Sequence, residues 1–357
     1  MLYILGLLII FLLGYCKRLN DKAFLFCSAV MILLIMSLRG STVGTDSASY
    51  LSLFRSIAAG EITSLHAKAP LFVFIMKVVS KAFGTSNQVY FGTTALLVVI
   101  PLWIAISLSG VSVRNAVITY YLLFFQSSLN TTRTYISVSF VMLAYVLARK
   151  KKMRTIVESV LFLTIAFFIH RIALIGIPIV AVSFLDLTKK KNRQIIMMLT
   201  AVCCLCLGAF INLFVKIFKV YASTLGSVKD TVGASAMVFQ LLIIITLCHV
   251  FYLLRKRRDS AGVISREDYD NMAVVLFAEV MLFIAGGTTW YVQRVLTYLE
   301  MFTVFLFPVV DRTKNKYRMI YRIIFIVFSF FLFFYGIGRN LSDVRPYVFF
   351  WEAKSIV

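Results

Sequence analysis

Apolar segments of similar length recur along this chain from one end to the other, and short basic connectors separate them. Each segment has roughly 15 to 22 residues, close to the length that an α-helix needs to cross the hydrocarbon core of a bilayer. Of the 357 residues, 61% are hydrophobic and 15% are charged, which is not the composition of a soluble globular protein. The sequence therefore predicts an all-α, polytopic membrane protein with a single transmembrane domain over residues 1–357. It excludes a soluble enzyme and a secreted disulfide scaffold.

The basic residues indicate how the chain is oriented. There are 37 Lys and Arg against 15 Asp and Glu, a formal net charge of +22. They lie in clusters between the apolar segments, whereas a nucleic-acid-binding protein gathers them on one folded face. Lys and Arg beside membrane spans are retained on the cytoplasmic side, so we place the clusters there and expect no nucleic-acid partner. The clusters are residues 17–22, 149–154, 189–193, 255–258 and 312–322.

The segments between these clusters predict about twelve membrane spans, with both chain termini on the outer side. On this arrangement the cytoplasmic connectors hold roughly 23 of the 37 basic residues, a bias that supports the orientation. The predicted spans are residues 2–16, 23–38, 88–108, 115–129, 134–148, 155–169, 172–187, 195–215, 237–254, 271–287, 295–310 and 319–337.

Residues 70–83 are apolar but are not counted as a span, because an extra crossing would move every later basic cluster to the outside. Lys77 and Lys81 share one helical face. The opposite, apolar face is predicted to consist of Phe72, Ile75, Val79 and Phe83. This pattern predicts an amphipathic helix lying in the outer interface, within an extracytoplasmic loop of residues 39–87. A second extracytoplasmic loop is predicted over residues 216–236.

Two predicted hairpins are too short to cross the bilayer comfortably. Each leg has about 15 residues, or roughly 22 Å of helix, against a hydrocarbon core of about 30 Å. Their tips, residues 127–133 and 170–171, should therefore stop below the outer surface. Polar backbone at that depth is tolerated where it lines a wet or protein-walled cavity, so we expect a pocket that opens outward between the hairpins.

The outer connector, residues 39–69, holds an acidic residue, Asp46, close to Gly40 and Gly44. The two glycines permit a tight backbone path. Asp46 has two interpretations. It either caps a helix that begins at Ser47 or serves as a binding or general-base carboxylate.

Four arginines lie on the outer side near segment ends, where a positive charge gains nothing from retention on the cytoplasmic side. They are Arg39, Arg133, Arg171 and Arg294. Snorkelling to the lipid head groups explains any single one of them. Together they favour an anionic ligand, because Arg binds phosphate bidentately and remains charged when it is partly desolvated.

Three further residues are candidates for substrate contact. His170 lies at a submerged tip, where it either packs within the span or orients a sugar or phosphate oxygen. Trp290 and Tyr291 lie in an outer connector and act either as interfacial anchors or as a surface that stacks on a sugar ring. The sequence has no nucleotide-binding, metal-ligating or Gly-x-Ser-x-Gly motif, so we expect no cofactor and no metal.

Four short motifs, taken in order, resemble the Wzy-type polysaccharide polymerases in their EpsG-like branch. The motifs are Arg39, Gly44, Thr45, Asp46 and Tyr50; then Arg133 with the basic connector 149–152; then Phe167 and His170; and last Arg294 with Tyr298. They extend over residues 39–310, which is most of the chain. The resemblance makes a GT-C-like helical architecture possible.

The resemblance implies a metal-independent glycosyltransferase of the cytoplasmic (inner) membrane, with its active site facing the periplasm or exterior. Its activity would be to join repeat units of O-antigen, capsule or exopolysaccharide that are carried on undecaprenyl pyrophosphate. Arg133 and Arg294, with Arg171, would stabilise the departing pyrophosphate, and Asp46 or His170 would accept the proton of the acceptor. The substrate-binding candidates are Arg39, Gly44, Thr45, Tyr50, Arg171, Trp290, Tyr291 and Tyr298.

The expected partners are the lipid-linked oligosaccharide, the bilayer, and a chain-length regulator and a flippase of the same pathway. Two alternatives stay open: the chain is itself a flippase for lipid-linked units, or it is an O-antigen ligase, which shares the donor and differs in the acceptor. A transporter fold usually contains internal repeats, and we find none between residues 1–180 and 181–357. Only the resemblance favours a polymerase over a ligase.

Overall fold

The computed structural model describes residues 1–63, 65–217, 240–242, 244–248, 266–286, 290–312 and 318–352. Within these ranges the regular elements are helices, apart from one isolated bridge that pairs Arg39 with Phe349. The prediction of an all-α protein is confirmed. The helices are α1 (Leu2–Tyr15), α2 (Asp21–Ser37), α3 (Ser47–Ala58), α4 (Leu65–Lys68), α5 (Pro70–Phe83), α6 (Asn87–Leu108), α7 (Val113–Leu123), α8 (Phe125–Asn130), α9 (Thr132–Ala148), α10 (Met153–Ile169), a 3₁₀-helix (Arg171–Ile175), α11 (Gly176–Val182), α12 (Lys190–Ile217), α13 (Arg266–Gly286), α14 (Trp290–Glu300), α15 (Thr303–Arg312) and α16 (Arg318–Arg339).

Most predicted spans coincide with helices, and at two of them the polar residue before the apolar segment caps the helix. The side chain of Asn20 accepts a hydrogen bond from the backbone N of Ala23 at 2.8 Å, and α2 begins there. The hydroxyl of Ser86 accepts one from the backbone N of Val89 at 3.4 Å at the start of α6. Such a side chain satisfies a backbone N–H that the first helical turn leaves without a partner.

Three predicted spans are divided in the structure. Residues 115–129 contain most of α7 and most of α8, which meet at Phe124. Residues 172–187 contain most of the 3₁₀-helix and the short α11, and residues 295–310 contain the end of α14 and most of α15. Apolar composition indicates burial, but it does not determine whether a helix continues, since neighbouring helices can shield a break in the backbone.

Two of the described helices are long and apolar enough to cross a membrane by themselves, Asn87–Leu108 and Met319–Arg339. Shorter apolar helices are Leu2–Tyr15, Thr132–Ala148 and Arg171–Val182. At 1.5 Å per residue, a helix of about 15 residues is shorter than a bilayer core of about 30 Å. The apolar helices agree with a membrane-associated protein.

The described residues form two compact units. The first comprises Met1–Leu174 together with the chain from Phe331 onward, and α9 packs there against α6 and α10. All residues of α9 except Arg133 and Phe140 are buried. A helix that is buried on nearly every side forms a core, so α9 is the central helix of this unit.

The second unit comprises Ile175–Phe330. Its most extensive contact joins α12 to α13, and α13 also packs against α11 and α14. These helices surround a cavity of about 320 Å³ whose lining is almost entirely apolar.

The helix expected over residues 70–83 is present with those bounds, as α5. Its buried face consists of Phe72, Val73, Met76 and Ser80. Of the predicted apolar face, Phe72 is buried, Ile75 and Val79 are half-buried and Phe83 is exposed. The packing of α5 against α3 and α10 determines which side chains turn inward.

Some predictions fall outside the described residues. The second extracytoplasmic loop, residues 216–236, lies outside them from residue 218 onward. The predicted span 237–254 is described at 240–242 and 244–248, where it is helical, and the basic cluster 255–258 lies wholly outside.

Candidate functional site

The backbone of the outer connector is held by the C-terminal segment, residues 340–352. The backbone N of Gly40 donates a hydrogen bond to the carbonyl of Val348 at 2.7 Å, and that of Gly44 donates to the carbonyl of Asp343 at 2.8 Å. The sequence does not predict this pairing, since no local pattern links two stretches near opposite ends of a chain. The C-terminal segment thus fixes the path of the connector.

Arg39 joins the connector to the tip of the first hairpin. Its guanidinium donates a hydrogen bond to the carbonyl of Leu129, and its central carbon lies 4.3 Å from the centroid of the Phe91 ring. Only 1% of Arg39 is exposed, which rules out snorkelling to the head groups. Burial lowers the pKa of Arg39 to about 10, so the side chain still carries its charge at neutral pH.

Gly44 lies where the connector approaches the hairpin tip most closely. Its φ of +98° is in a region that residues with a Cβ disfavour. A Cβ at this position would lie 2.9 Å from the Oγ of Ser47 and 3.0 Å from the carbonyl oxygen of Leu129. Both the backbone conformation and the lack of space therefore require glycine.

Asp46 occupies the N-cap position of α3 without capping the helix. Its backbone N donates a hydrogen bond to Oδ1 of Asn130 at 2.8 Å, but its carboxylate accepts no capping hydrogen bond. The capping interpretation of Asp46 is therefore wrong. The carboxylate is half-buried and makes no hydrogen bond or ion pair with the part of the chain that the structure describes. The neighbouring Thr45 is exposed and donates a hydrogen bond to Oδ2 of Asp343 at 3.2 Å.

Arg133, in the first turn of α9, contacts an aromatic residue. Its Nε donates a hydrogen bond to the hydroxyl of Tyr50 at 3.1 Å, and its guanidinium carbon lies 5.4 Å from the centroid of that ring. Arg133 is half-buried, and it forms no ion pair with a carboxylate in the described ranges. Most of its five N–H donors therefore remain available to an acceptor from outside the chain.

Tyr90, near the start of α6, completes this group, and sequence reasoning missed it. Its ring stacks on that of Tyr50, with centroids 6.5 Å apart and 18° between the planes. Arg39, Asp46 and Arg133 lie near its hydroxyl. A tyrosine in an apolar span gives no signal of its own, which is why the sequence did not reveal it. We call these five residues, Arg39, Asp46, Tyr50, Tyr90 and Arg133, the Asp46–Arg133 cluster.

The chemistry of the Asp46–Arg133 cluster follows from its charges. Two guanidinium groups and one carboxylate leave it with a net positive charge, so it favours an anionic ligand. The carboxylate is the group in the cluster that can serve as a general base. Within the ranges that the structure describes, no group of three or more His, Cys, Asp or Glu side chains is placed to hold a metal ion.

His170 and Arg171 lie at the tip of the second hairpin, where α10 ends. His170 is 7% exposed, and its backbone N donates a hydrogen bond to the carbonyl of Ala166 at 2.9 Å. The guanidinium of Arg171 donates to the carbonyl of Ala67 in α4. The second hairpin tip is thus hydrogen-bonded to the end of the outer connector, at Ala67, whereas the first tip is hydrogen-bonded to its beginning, at Arg39.

The remaining candidates belong to the second unit. Arg294 and Tyr298 are four residues apart on α14, which places them on one face of that helix. Arg294 is half-buried and Tyr298 is buried. Trp290 and Tyr291 form the first residues of α14 and so are helical, whereas the sequence analysis placed them in a connector.

Comparison with known proteins assigns a family. A family model described as the EpsG family matches residues 22–349, nearly the whole chain. No curated protein and no solved structure is significantly similar to this chain. The matched residues include the outer connector, both hairpin tips and α14. The chain therefore belongs to the EpsG family.

Proposed function

We propose that this chain is a polysaccharide polymerase that joins repeat units linked to undecaprenyl pyrophosphate at the outer face of the cytoplasmic membrane. Membership of the EpsG family associates it with membranes and with polysaccharide biosynthesis. The observation that carries the proposal is the Asp46–Arg133 cluster. There a carboxylate without a hydrogen bond in the described structure accompanies a guanidinium that binds no described carboxylate. A lipid pyrophosphate and an acceptor hydroxyl supply the missing partners, an anion and a proton.

In the proposed reaction, a hydroxyl at the non-reducing end of an incoming lipid-linked unit attacks the anomeric carbon of the growing glycan. A new glycosidic C–O bond forms while the bond from the anomeric carbon to the pyrophosphate oxygen breaks. The hydroxyl proton passes to Asp46, and the bonding electron pair leaves with the pyrophosphate. Arg133 stabilises the charge that develops on the pyrophosphate oxygens, and Arg294 is the second cation proposed for this role.

Asp46 is better supported as the proton acceptor than His170. Both carboxylate oxygens of Asp46 are available to a substrate hydroxyl, because the described chain uses neither of them in a hydrogen bond. His170 is buried where α10 ends and remains the alternative. The residues proposed to bind substrate or to maintain the shape of the site are Arg39, Gly44, Thr45, Tyr50, Arg171, Trp290, Tyr291 and Tyr298.

The proposal includes a topology of about twelve spans, with both termini and the Asp46–Arg133 cluster on the outer side. The basic clusters support this orientation, and α5 is proposed to lie in the outer interface. Its exposed side chains include Phe74, Val78 and Phe83 beside Lys77 and Lys81, a mixture suited to the boundary between lipid and water. The bilayer, a flippase and a chain-length regulator are the proposed partners.

The test is a gel of surface polysaccharide from cells that carry Arg133→Ala or Arg294→Ala in place of the wild-type chain. Loss of one such arginine should cost about 3 kcal/mol of transition-state stabilisation, or about a hundredfold in rate. We therefore expect the ladder of long chains to collapse to single repeat units. The matched control is Arg55→Ala, because Arg55 is an exposed arginine of α3 that binds Asn87 at 3.1 Å outside the cluster.

The outcomes separate the alternatives when each variant is present in the membrane at the wild-type level. Long chains in both arginine variants would show that the residue assignment is wrong. Full-length polymer that accumulates on the lipid carrier would indicate a ligase, since polymerisation then proceeds without transfer to the final acceptor. Lipid-linked units trapped on the cytoplasmic side would indicate a flippase.

A further inference from the structure

The hydroxyl of Tyr90 has no hydrogen-bond partner in the described structure, although it is buried. Only 1% of the residue is exposed. Two other buried tyrosines of the same unit satisfy their hydroxyls: that of Tyr121 donates to the carbonyl of Tyr3 at 3.0 Å, and that of Tyr120 donates to Oγ of Ser128 at 3.1 Å. A buried tyrosine hydroxyl usually has a partner, so Tyr90 requires an explanation.

The surroundings of Tyr90 show which kind of partner is missing. Its ring stacks on Tyr50, which itself accepts the hydrogen bond from Arg133. Two cations, Arg39 and Arg133, and the carboxylate of Asp46 lie near its hydroxyl. The Nε of Arg39 is a second buried donor without a partner in the described residues. In the described residues no acceptor forms a hydrogen bond with either donor, although the Asp46 carboxylate lies nearby.

A phosphate oxygen fits this position better than a neutral sugar hydroxyl does. Phosphate oxygens only accept hydrogen bonds, and they carry the negative charge that two neighbouring guanidinium groups favour. A phenol donates without adding charge, so it can fix the orientation of a phosphate that the arginines attract. Removing a polar group from water without giving it a partner costs free energy, which a bound acceptor recovers.

We infer that Tyr90 is a substrate-positioning residue whose hydroxyl donates a hydrogen bond to a phosphate oxygen of the lipid pyrophosphate, beside Arg133. This inference rests on the proposed function, because it takes the lipid pyrophosphate as the ligand. It adds to the site a residue without charge, at the start of a long apolar helix.

The test compares Tyr90→Phe with Tyr121→Phe in the purified full-length chain. Phenylalanine at position 90 removes a hydroxyl that has no partner in the folded chain, so the melting temperature should stay equal or rise. Phenylalanine at position 121 removes the hydrogen bond that α7 donates to the carbonyl of Tyr3 in α1, so the melting temperature should fall. The melting temperature without ligand and the affinity for ligand should therefore change independently in these two variants.

The binding measurement is the rise in melting temperature as undecaprenyl pyrophosphate is added. We expect Tyr90→Phe to weaken the apparent affinity about tenfold, whereas Tyr121→Phe keeps the wild-type affinity. Equal affinity in Tyr90→Phe and the wild type would overturn the inference and leave the proposed function standing. A lower melting temperature of Tyr90→Phe without ligand would also overturn it, since the hydroxyl would then have a partner within the chain. If the wild type does not respond to the lipid at all, the proposed function and the inference both fail.

Discussion

Asp46 illustrates how a single side chain separates a structural role from a chemical one. An asparagine serves as an N-cap about as well as an aspartate does, but it cannot accept the proton of a substrate hydroxyl. Since the carboxylate makes no capping bond to α3, Asp46→Asn should change the free energy of unfolding by no more than about 0.5 kcal/mol. If Asp46 is the general base, polymer synthesis should fall about a hundredfold or more. Both quantities are measurable, by thermal unfolding of the purified variant and by a polysaccharide gel.

Asn20 provides the matched control, because its side chain does cap a helix, accepting a hydrogen bond from the backbone N of Ala23 at 2.8 Å. Asn20→Ala should lower the free energy of unfolding by about 1 kcal/mol and leave the polysaccharide unchanged. Long chains made by Asp46→Asn would remove Asp46 from the reaction and leave His170 as the candidate base.

At the scale of helices, a buried ion pair joins α12 to α13 in the second unit. Nη1 of Arg193 lies 3.2 Å from Oδ1 of Asp270, and the two side chains are 4% and 8% exposed. Asp270→Ala leaves a buried guanidinium without its counterion, so the free energy of unfolding should fall by about 3 to 5 kcal/mol. Thermal unfolding in detergent measures this loss. Replacing Arg193 and Asp270 together by Met and Leu should recover most of it, because the desolvation cost of both charges disappears.

The control for that pair is an exposed one, Arg154 and Glu158 on α10, whose side chains are 89% and 34% exposed. Glu158→Ala should cost no more than about 0.5 kcal/mol, because water screens the pair. Equal losses in Asp270→Ala and Glu158→Ala would show that the pair of the second unit does not join its two helices.

The same pair explains why the sequence predicted the positions of helices better than their ends. Hydropathy starts the corresponding spans at residues 195 and 271, whereas α12 starts at Lys190 and α13 at Arg266. The additional turns hold charged residues, and two of them, Arg193 and Asp270, neutralise each other. An apolar pattern indicates contact with lipid or with the protein core. It therefore does not predict a charged helical turn that a residue distant in sequence stabilises.

The candidate site was predictable where local sequence determines it. The glycines and Asp46 lie close together in one connector, and the short hairpin brings Arg133 to the same level, so these residues emerged from the sequence pattern. Tyr50 emerged only from the resemblance to the EpsG-like polymerases. Two features depend on distant contacts: the C-terminal segment that holds the connector at Gly40 and Gly44, and Tyr90 at the start of α6. Neither carries a local signal, because a backbone pairing and a buried phenol acquire their roles only through what they touch in the folded chain.

For the whole molecule, the orientation in the membrane depends on how residues 70–83 are placed. If α5 lies in the outer interface, the outer connector and the later basic clusters are on opposite sides of the membrane. If α5 crosses the bilayer, those later clusters move to the outside with the connector. The buried face of α5 packs against α3, in the outer connector, and against α10, a predicted span.

Cysteine labelling distinguishes these two arrangements. In a chain whose six cysteines are replaced by serine, Glu61→Cys reports on the outer connector and Lys152→Cys on a basic cluster. Both positions are exposed, so a membrane-impermeant maleimide reaches either of them from the side on which it lies. We expect Glu61→Cys to react in intact cells and Lys152→Cys to react only after permeabilisation, because Lys and Arg beside spans are retained in the cytoplasm. Reaction of both in intact cells would mean that α5 crosses the membrane and that the positive clusters face outward. The charge bias would then require another explanation, and the spans after α5 would all be inverted relative to the proposal.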